Sequence, residues 1–439
     1  MSTREIGVAL LGYGTVGAAV DRVLHEQGDR IEGATGHRLR VVRALVRDLA
    51  KERDFTPEPG VLTADFARIR DDPSVRVVAE VMGGTEPACG YLLELLRAGK
   101  AVVTANKQLV ARNGAELFAA ASESGVQVRF EAAVCAAVPV IKVLRESLVA
   151  SDVRRIQAIV NGTTNFVLEE MERGSTYAEA IAEAQLLGYA EADPADDVSG
   201  ADAAAKMAIL ATTAFGSRVT VDDVDFDGIE GITKAHLDGA RALGMAVRLV
   251  GTATRFDDAV AVRVRPSVLD REHPLAAVEG AFNAVVLHGD AIGEVTLQGP
   301  GAGGLETASA VVADLVAVAG TSGSGFLRND PCRRRLALLA PDSFAARSYV
   351  HLELADQSGA AMQMTTALAA NGVFVERQAR LTDRDGADLH LLTRPVRERD
   401  LHAALARLEA LPAVRGSVAA LPVVGDVAVP APETRAQAR

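Results

Sequence analysis

Residues 5–24, EIGVALLGYGTVGAAVDRVL, constrain the fold more than any other stretch of the chain. The apolar run 6–11 reads as a buried strand and 18–24 continues with helical periodicity. Between them lies Gly12-Tyr13-Gly14-Thr15-Val16-Gly17. A bare GxGxxG is a weak signal, but between a strand and a helix it has a physical reading. Gly12 makes the tight turn, Gly14 lets backbone approach a pyrophosphate, and Gly17 lets helix pack on strand. The helix N-terminus then offers free amides to the phosphates. The bland alternative is a tight βα turn without a ligand. Apolar runs at 41–46, 75–82, 101–104 and 126–130 alternate with helical segments, the rhythm of a doubly wound parallel sheet.

The second strand should end at the adenosine ribose, where an acidic residue favours NAD and an arginine favours the 2′-phosphate of NADP. Arg47-Asp48 supplies both, with Arg43, Lys51 and Arg53 close by. Arg47 comes first in basic surroundings, which points to NADP, with NAD as the alternative. The insertion at 28–40 stretches the usual spacing.

The other dense region is 185–209, QLLGYAEADPADDVSGADAAAKMAI. Glu191, Asp193, Asp196, Asp197, Asp202 and Lys206 fall within sixteen residues. Asp202 and Lys206, four apart, share a helix face. Acidic groups followed by one lysine can hold an ammonium-bearing substrate and deliver a proton to its other end. Ser199 to Asp202 also reads as a plain capping box, and Asp202/Lys206 as an ordinary ion pair.

Taken together, the motifs resemble homoserine dehydrogenase in its long form with a C-terminal ACT domain. GYGTVG at 12–17, VMGGTEPA at 81–88, VVTANKQLVA at 102–111 and FEAAVCAAVPVIKVLRESL at 130–148 carry the resemblance. IVNGTTNFVLEEM at 159–171, GYAEADPADDVSGADAAAKMAIL at 188–210, HPLAAVEGAFNAV at 273–285 and GPGAGGLETASAVVADL at 299–315 continue it in family order. The family reduces aspartate 4-semialdehyde to homoserine with a nicotinamide cofactor, on the branch to threonine, methionine and isoleucine.

The resemblance implies a role for each motif. Lys206 matches the proton donor, with Asp202 holding it charged and Lys107 beside it. Glu191 and Asp197 match carboxylates for the substrate ammonium, and Gly162-Thr163 a turn at its carboxylate. Cofactor contacts are implied at 12–17, Gly84, Thr85, Thr104, Lys107, Gly303 and Glu306, with Arg43 and Arg47 at the ribose. A sodium or potassium site carries over to Glu131, Val134, Ala136 and Val138. There the family usually has a glycine pair, so a positive φ would strain Ala136-Ala137. A homodimer or tetramer is implied, with threonine as effector near Asp356 and Gly359 or, as the alternative, an ACT fold kept only for assembly, since Ser-Gly-Ala-Ala at 358–361 replaces the family's Pro-Gly-Val-Leu. Two rivals are a non-catalytic NADP or amino-acid sensor, which would lack Lys206 or the acidic loop, and aspartate-semialdehyde dehydrogenase. The latter needs a cysteine nucleophile with a histidine base, and Cys135 has no evident histidine partner in sequence.

At 439 residues two or three domains are expected. The fold class is α/β: a Rossmann-type domain (1–133), an α+β domain (134–304), a linker (321–346), a ferredoxin-like ACT domain (347–427) and a disordered tail (428–439). The resemblance implies that a helix at 305–320 completes the first domain and that the second is the catalytic and dimerisation domain. Pro139 should open a helix over 140–148. A net charge of −12 argues against nucleic acid or an anionic membrane as partner. Three scattered cysteines fit a reducing cytoplasm, and no signal peptide or membrane span is read. The Asn161-Gly-Thr163 sequon is therefore discounted. Asp223 to Lys234 imitates half an EF-hand but lacks the final glutamate, and histidine spacing supports no zinc site.

Overall fold

The computed structural model describes residues 4–321, 331–332, 334–340, 345–355, 357, 359–382 and 387–425. Six parallel strands form the first layer: β1 (Arg4–Leu11), β2 (His37–Leu45), β3 (Leu62–Thr63), β4 (Val75–Glu80), β5 (Ala101–Thr104) and β6 (Val128–Arg129), in the order β3-β2-β1-β4-β5-β6. The order reverses between β1 and β4, and the crevice at the carboxyl ends of strands flanking such a reversal is where ligands bind. Val8, Leu10, Val77 and Val103 are buried, as expected of a sheet covered on both faces. The helix Gly304–Ala319 returns over this sheet, burying Ala308, Val311 and Leu315 in the same core.

The second layer is a seven-stranded sheet of β7 (Val153–Ile159), β8 (Asp225–Phe226), β9 (Met245–Arg255), β10 (Ala259–Asp270), β11 (Phe282–Gly289), β12 (Gly293–Pro300) and β13 (Ala337–Leu338). The helices Gly162–Arg173, Ala201–Phe215 and Lys234–Ala242 pack on one face. The second of these is rich in alanine, and its small side chains bring the segment carrying Asp202 and Lys206 close to the sheet. The carboxylate of Asp225, part of the EF-hand-like stretch, is engaged by Arg263 at 3.0 Å and Arg265 at 2.8 Å.

Two expectations change. The helix after Pro139 is α-helical only over Val140–Lys142 and widens to a π turn over Val143–Ser147. Its Arg145 lies over the Phe130 ring, and Glu146 pairs with Arg129 at 2.7 Å. The stretch read as a linker contains β13, which adds to the edge of β10, and β14 (Ala345–Ala346). Exposed strand edges recruit such short segments through their free backbone groups.

The remaining strands are β15 (Ser348–Leu354), β16 (Val375–Thr382), β17 (Ala387–Thr393), β18 (Val396–Arg397) and β19 (Val414–Pro422). β16-β17-β15-β19 form an antiparallel sheet, and β18 pairs with β14. With helices Ala360–Ala369 and Glu398–Glu409 the topology is βαββαβ. This unit docks on the second layer: Tyr349 Oη donates to the His236 carbonyl at 3.3 Å and Arg377 to the Leu243 carbonyl at 3.0 Å. Among the described residues no helix is long and apolar enough to cross a membrane. The tail 428–439 lies outside the described residues.

Candidate active site

The glycine loop separates packing from ligand contact residue by residue. Gly12 takes φ 101°, a conformation costly for other residues, and its amide donates to the Leu45 carbonyl at 3.0 Å. A Cβ on Gly17 would collide with the Gly12 carbonyl, so this position is set by helix–strand approach. In front of Gly14 the space is open. No side chain caps the helix Thr15–Glu26, and its first turn holds no acidic residue. Its amides are therefore free for an anion. Tyr13 is buried, its hydroxyl donating to Asp21 at 2.5 Å, so the side chain anchors the loop to its helix. Val16 packs beside the core, and Thr15 touches the loop at Gly304. Gly303 (φ 136°) begins the returning helix with the Glu306 side chain curled over it.

Two side chains expected at the cofactor are engaged elsewhere. Arg43 pairs with Asp72 at 3.1 Å, in the turn leading into β4. That turn precedes the strand, so the guanidinium is drawn toward the sheet edge opposite the glycine loop. Arg47, just beyond β2, is exposed at the correct edge. Thr104 is fully buried, and its hydroxyl donates to Glu80 at 2.6 Å rather than facing the crevice. Glu80, pushed up by burial, accepts the amides of Met82 at 2.9 Å and Gly83 at 3.2 Å. It thereby shapes the Gly83-Gly84-Thr85 loop. Asn106, which the sequence did not single out, donates to the Gly84 carbonyl at 2.5 Å and caps the helix beginning at Lys107.

That helix presents Lys107 across the domain boundary. Its Nζ lies 2.9 Å from one Asp202 oxygen, while Lys206 Nζ lies 2.7 Å from the other. Lys206 also donates to the Val160 carbonyl at 2.8 Å. Burial alone would raise the Asp202 carboxyl, but the Lys206 and Lys107 ammonium groups outweigh it and hold the acid far below the usual range. Burial opposes the Lys206 ammonium, and Asp202 more than compensates, leaving its pKa raised. Asp197 is raised by burial and receives Asn161 Nδ2 at 2.7 Å. Asn161 reaches Asp202 as well, at 2.9 Å. Thr163 donates to the Tyr189 carbonyl at 2.6 Å, tethering the acidic loop, and any side chain at Gly162 would strike the Ala281 carbonyl. Glu191 is exposed, and the described hydrogen bonds do not join its carboxylate to the cluster. An open cleft is lined by Gly84, Thr85 and Gln108 from the first layer and by Asp196 and Ala201 from the second.

Glu131 is buried with its carboxylate accepting the amides of Ile141 at 2.8 Å and Lys142 at 2.7 Å. Burial, with Asp314 nearby, pushes it up to about 7. The left-handed residues here are Cys135 (φ 58°) and Ala136 (φ 38°), one position earlier than expected. Each costs roughly 1–2 kcal/mol relative to glycine-compatible backbone. The Glu131 and Val138 carbonyls accept local amides at 3.2 and 2.8 Å from Val134 and Val140. Buried Asn283 abuts the Cys135 thiol and otherwise has neither amide atom hydrogen-bonded. Burial pushes that thiol up to about 11, unfit as a nucleophile.

Elsewhere, Gly359 (φ 87°) begins the helix Ala360–Ala369, while Asp356 lies outside the described residues. His351, Asp388 and His390 come together across paired strands, which linear spacing conceals. The His351 and His390 rings stack 4.8 Å apart with planes at 12°, so their lone pairs do not converge as zinc ligands would.

Residues 12–131 match the family model for the homoserine dehydrogenase NAD-binding domain, and residues 139–316 that for homoserine dehydrogenase itself. The chain is 38% identical to the homoserine dehydrogenase of Bacillus subtilis over 421 residues, covering 94% of this chain and 96% of that relative. With the Corynebacterium glutamicum enzyme identity is 39% over 418 residues, 93% and 94% of the two chains. The crystal structure of a homoserine dehydrogenase from Thiobacillus denitrificans superposes with a TM-score of 0.89 at 37% identity, covering 96% of this chain and 98% of that one. A hyperthermophilic archaeal homoserine dehydrogenase in complex with NADPH matches 72% of this chain and 98% of its own, with a TM-score of 0.61 and 30% identity. The glycine loop, the paired lysines and these relatives agree: the chain belongs to the homoserine dehydrogenase family, nicotinamide-dependent oxidoreductases acting on a CH–OH group.

Proposed function

We propose that this enzyme reduces L-aspartate 4-semialdehyde to L-homoserine with NADPH, Lys206 delivering the proton. The observation that carries the reading is a buried ammonium, fixed by Asp202 and the Val160 carbonyl, with Lys107 on the same carboxylate from the nucleotide domain. When bound, the reduced nicotinamide supplies a hydride to the aldehyde carbon. As the carbonyl electron pair moves onto oxygen, the Lys206 ammonium stabilises the charge and then transfers its proton, becoming a neutral amine. Asp202 is too weak a base to take that proton, so it orients both lysines and stays ionised. The Gly162 and Thr163 amides at a helix N-terminus suit the substrate carboxylate. Asp197 and the exposed Glu191 suit its ammonium.

NADP is favoured over NAD because Arg47 is exposed while Asp48 accepts the Ala50 amide at 2.8 Å in its own turn. The family resemblance also supports a sodium or potassium ion at the turn of Glu131, Val134, Ala136 and Val138, where Cys135 and Ala136 take left-handed backbone. The ion would brace the turn and take no part in proton transfer. The βαββαβ unit is assigned as a regulatory ACT domain with threonine as effector near Gly359, in a homodimer or tetramer joined through the second layer. NADPH oxidation by aspartate semialdehyde without phosphate, run beside NADP⁺ reduction by the same aldehyde with inorganic phosphate, tests the reaction. Turnover without phosphate is expected. Phosphate-dependent reduction of NADP⁺ by the semialdehyde, with no oxidation of NADPH, would instead mean aspartate-semialdehyde dehydrogenase chemistry, which oxidises the aldehyde to an acyl phosphate.

A further inference from the structure

Asn161 is 4% exposed, and all four hydrogen-bonding directions of its amide are occupied. Its oxygen accepts the Thr164 amide and hydroxyl, each at 2.9 Å, at the start of the helix Gly162–Arg173. Its nitrogen donates to Asp197 at 2.7 Å and to Asp202 at 2.9 Å. The helix donors on one side and carboxylates on the other allow only this orientation, so an amide flip is excluded. The Asp202 oxygen that Asn161 holds is the one bonded to Lys206. The neighbouring residue, Val160, supplies the carbonyl that fixes the same ammonium.

Asp202 is buried and Asp197 half-buried, and a single amide between them gives an oxygen of each its donor. A serine would cap the helix but is too short to reach both acids. An aspartate would cap it but brings a third negative charge. Only an amide caps with one end and donates twice with the other.

We infer that Asn161 is a positioning residue for the reduction. It fixes the Asp202 oxygen that holds the Lys206 ammonium, and it ties Asp197 to the same amide. The inference rests on the proton-donor reading of Lys206.

The test compares Asn161→Ser and Asn161→Asp with Lys206→Ala in the full-length enzyme. Serine and aspartate are as good at a helix N-cap as asparagine, so both variants keep the cap and should bind NADPH with wild-type affinity. Misplacing the ammonium should lower kcat by about 10²-fold with little change in the KM for NADPH. Asn161→Asp should also move the alkaline limb of the kcat profile to higher pH, because added negative charge raises the Lys206 pKa. A cap-only role predicts wild-type kcat and pH profile in both variants, and that result would overturn the inference. If Lys206→Ala itself turned over normally, the reading of the site would fail instead. Should Asn161→Asp fold poorly, Asn161→Ser alone decides through its kcat.

Discussion

Asp202 accepts from three donors that arrive from three different places: its own helix, the nucleotide domain and the turn after β7. Removing its charge should act on both stability and chemistry. In Asp202→Asn two ammonium groups would face a neutral amide, and breaking a buried pair in this way costs about 3–5 kcal/mol. Asp202 raises the Lys206 pKa, so its loss lowers it. The alkaline limb of reductive kcat should therefore move to lower pH, and a limb that stayed in place would contradict the assignment. The glycine loop gives a second residue-scale prediction. Gly14→Ala meets open space at an ordinary φ, so the Tm should hold while NADPH affinity falls, as a fluorescence titration would show. Gly17→Ala collides with backbone and should lower both. The local geometry at this scale was legible, because the turn at Gly12, the close approach at Gly17 and the shared helix face of Asp202 and Lys206 follow from spacing. Asn161 did not, since the contacts that define it come from 36 and 41 residues further along the chain. In sequence it looked like a discounted sequon.

The elements that position the site were legible where periodicity reported burial. The helix Gly304–Ala319 was placed on the nucleotide domain from its apolar pattern and the family resemblance, and Ala308, Val311 and Leu315 bury there. Leu315→Ala should therefore cost about 2–5 kcal/mol, read as a lowered Tm that NADPH only partly restores. An unchanged Tm would mean the helix is not part of that core. Side-chain aim within elements was less readable. Arg43 and Arg47 are both basic and close to the strand end, yet only contact with Asp72 reveals that one turns away. Thr104 likewise gave no sign that Glu80 would claim its hydroxyl. The strands β13 and β14 escaped notice because two-residue edge additions carry no periodicity.

At the scale of the whole molecule, the βαββαβ unit meets the second layer through a cluster that no linear spacing announced. His236 comes from the helix Lys234–Ala242, and Tyr349, His351, Asp388 and His390 from β15 and β17, with Asp238 and Arg377 nearby. His236 and His390 each have a buried, unpaired Nε2 and are pushed down to about 4 by burial and by the neighbouring histidines. Docked, they bind fewer protons than when released, where the ordinary value is 6.5. The contact should therefore be complete above pH 6.5 and weaken as pH falls toward 4. Hydrogen exchange of the helix Lys234–Ala242, corrected for intrinsic rates, should lose protection over that interval. Equal protection at pH 7.5 and 5 would contradict this.

The central claim is that Lys206 delivers the proton, and stopped-flow NADPH oxidation by Lys206→Ala tests it most directly. A positioned general acid contributes roughly 10²–10⁴-fold, so kcat should fall by that factor while NADPH still binds. Turnover at the wild-type rate would reduce the Asp202–Lys206 contact to a structural ion pair and remove the basis of the mechanism.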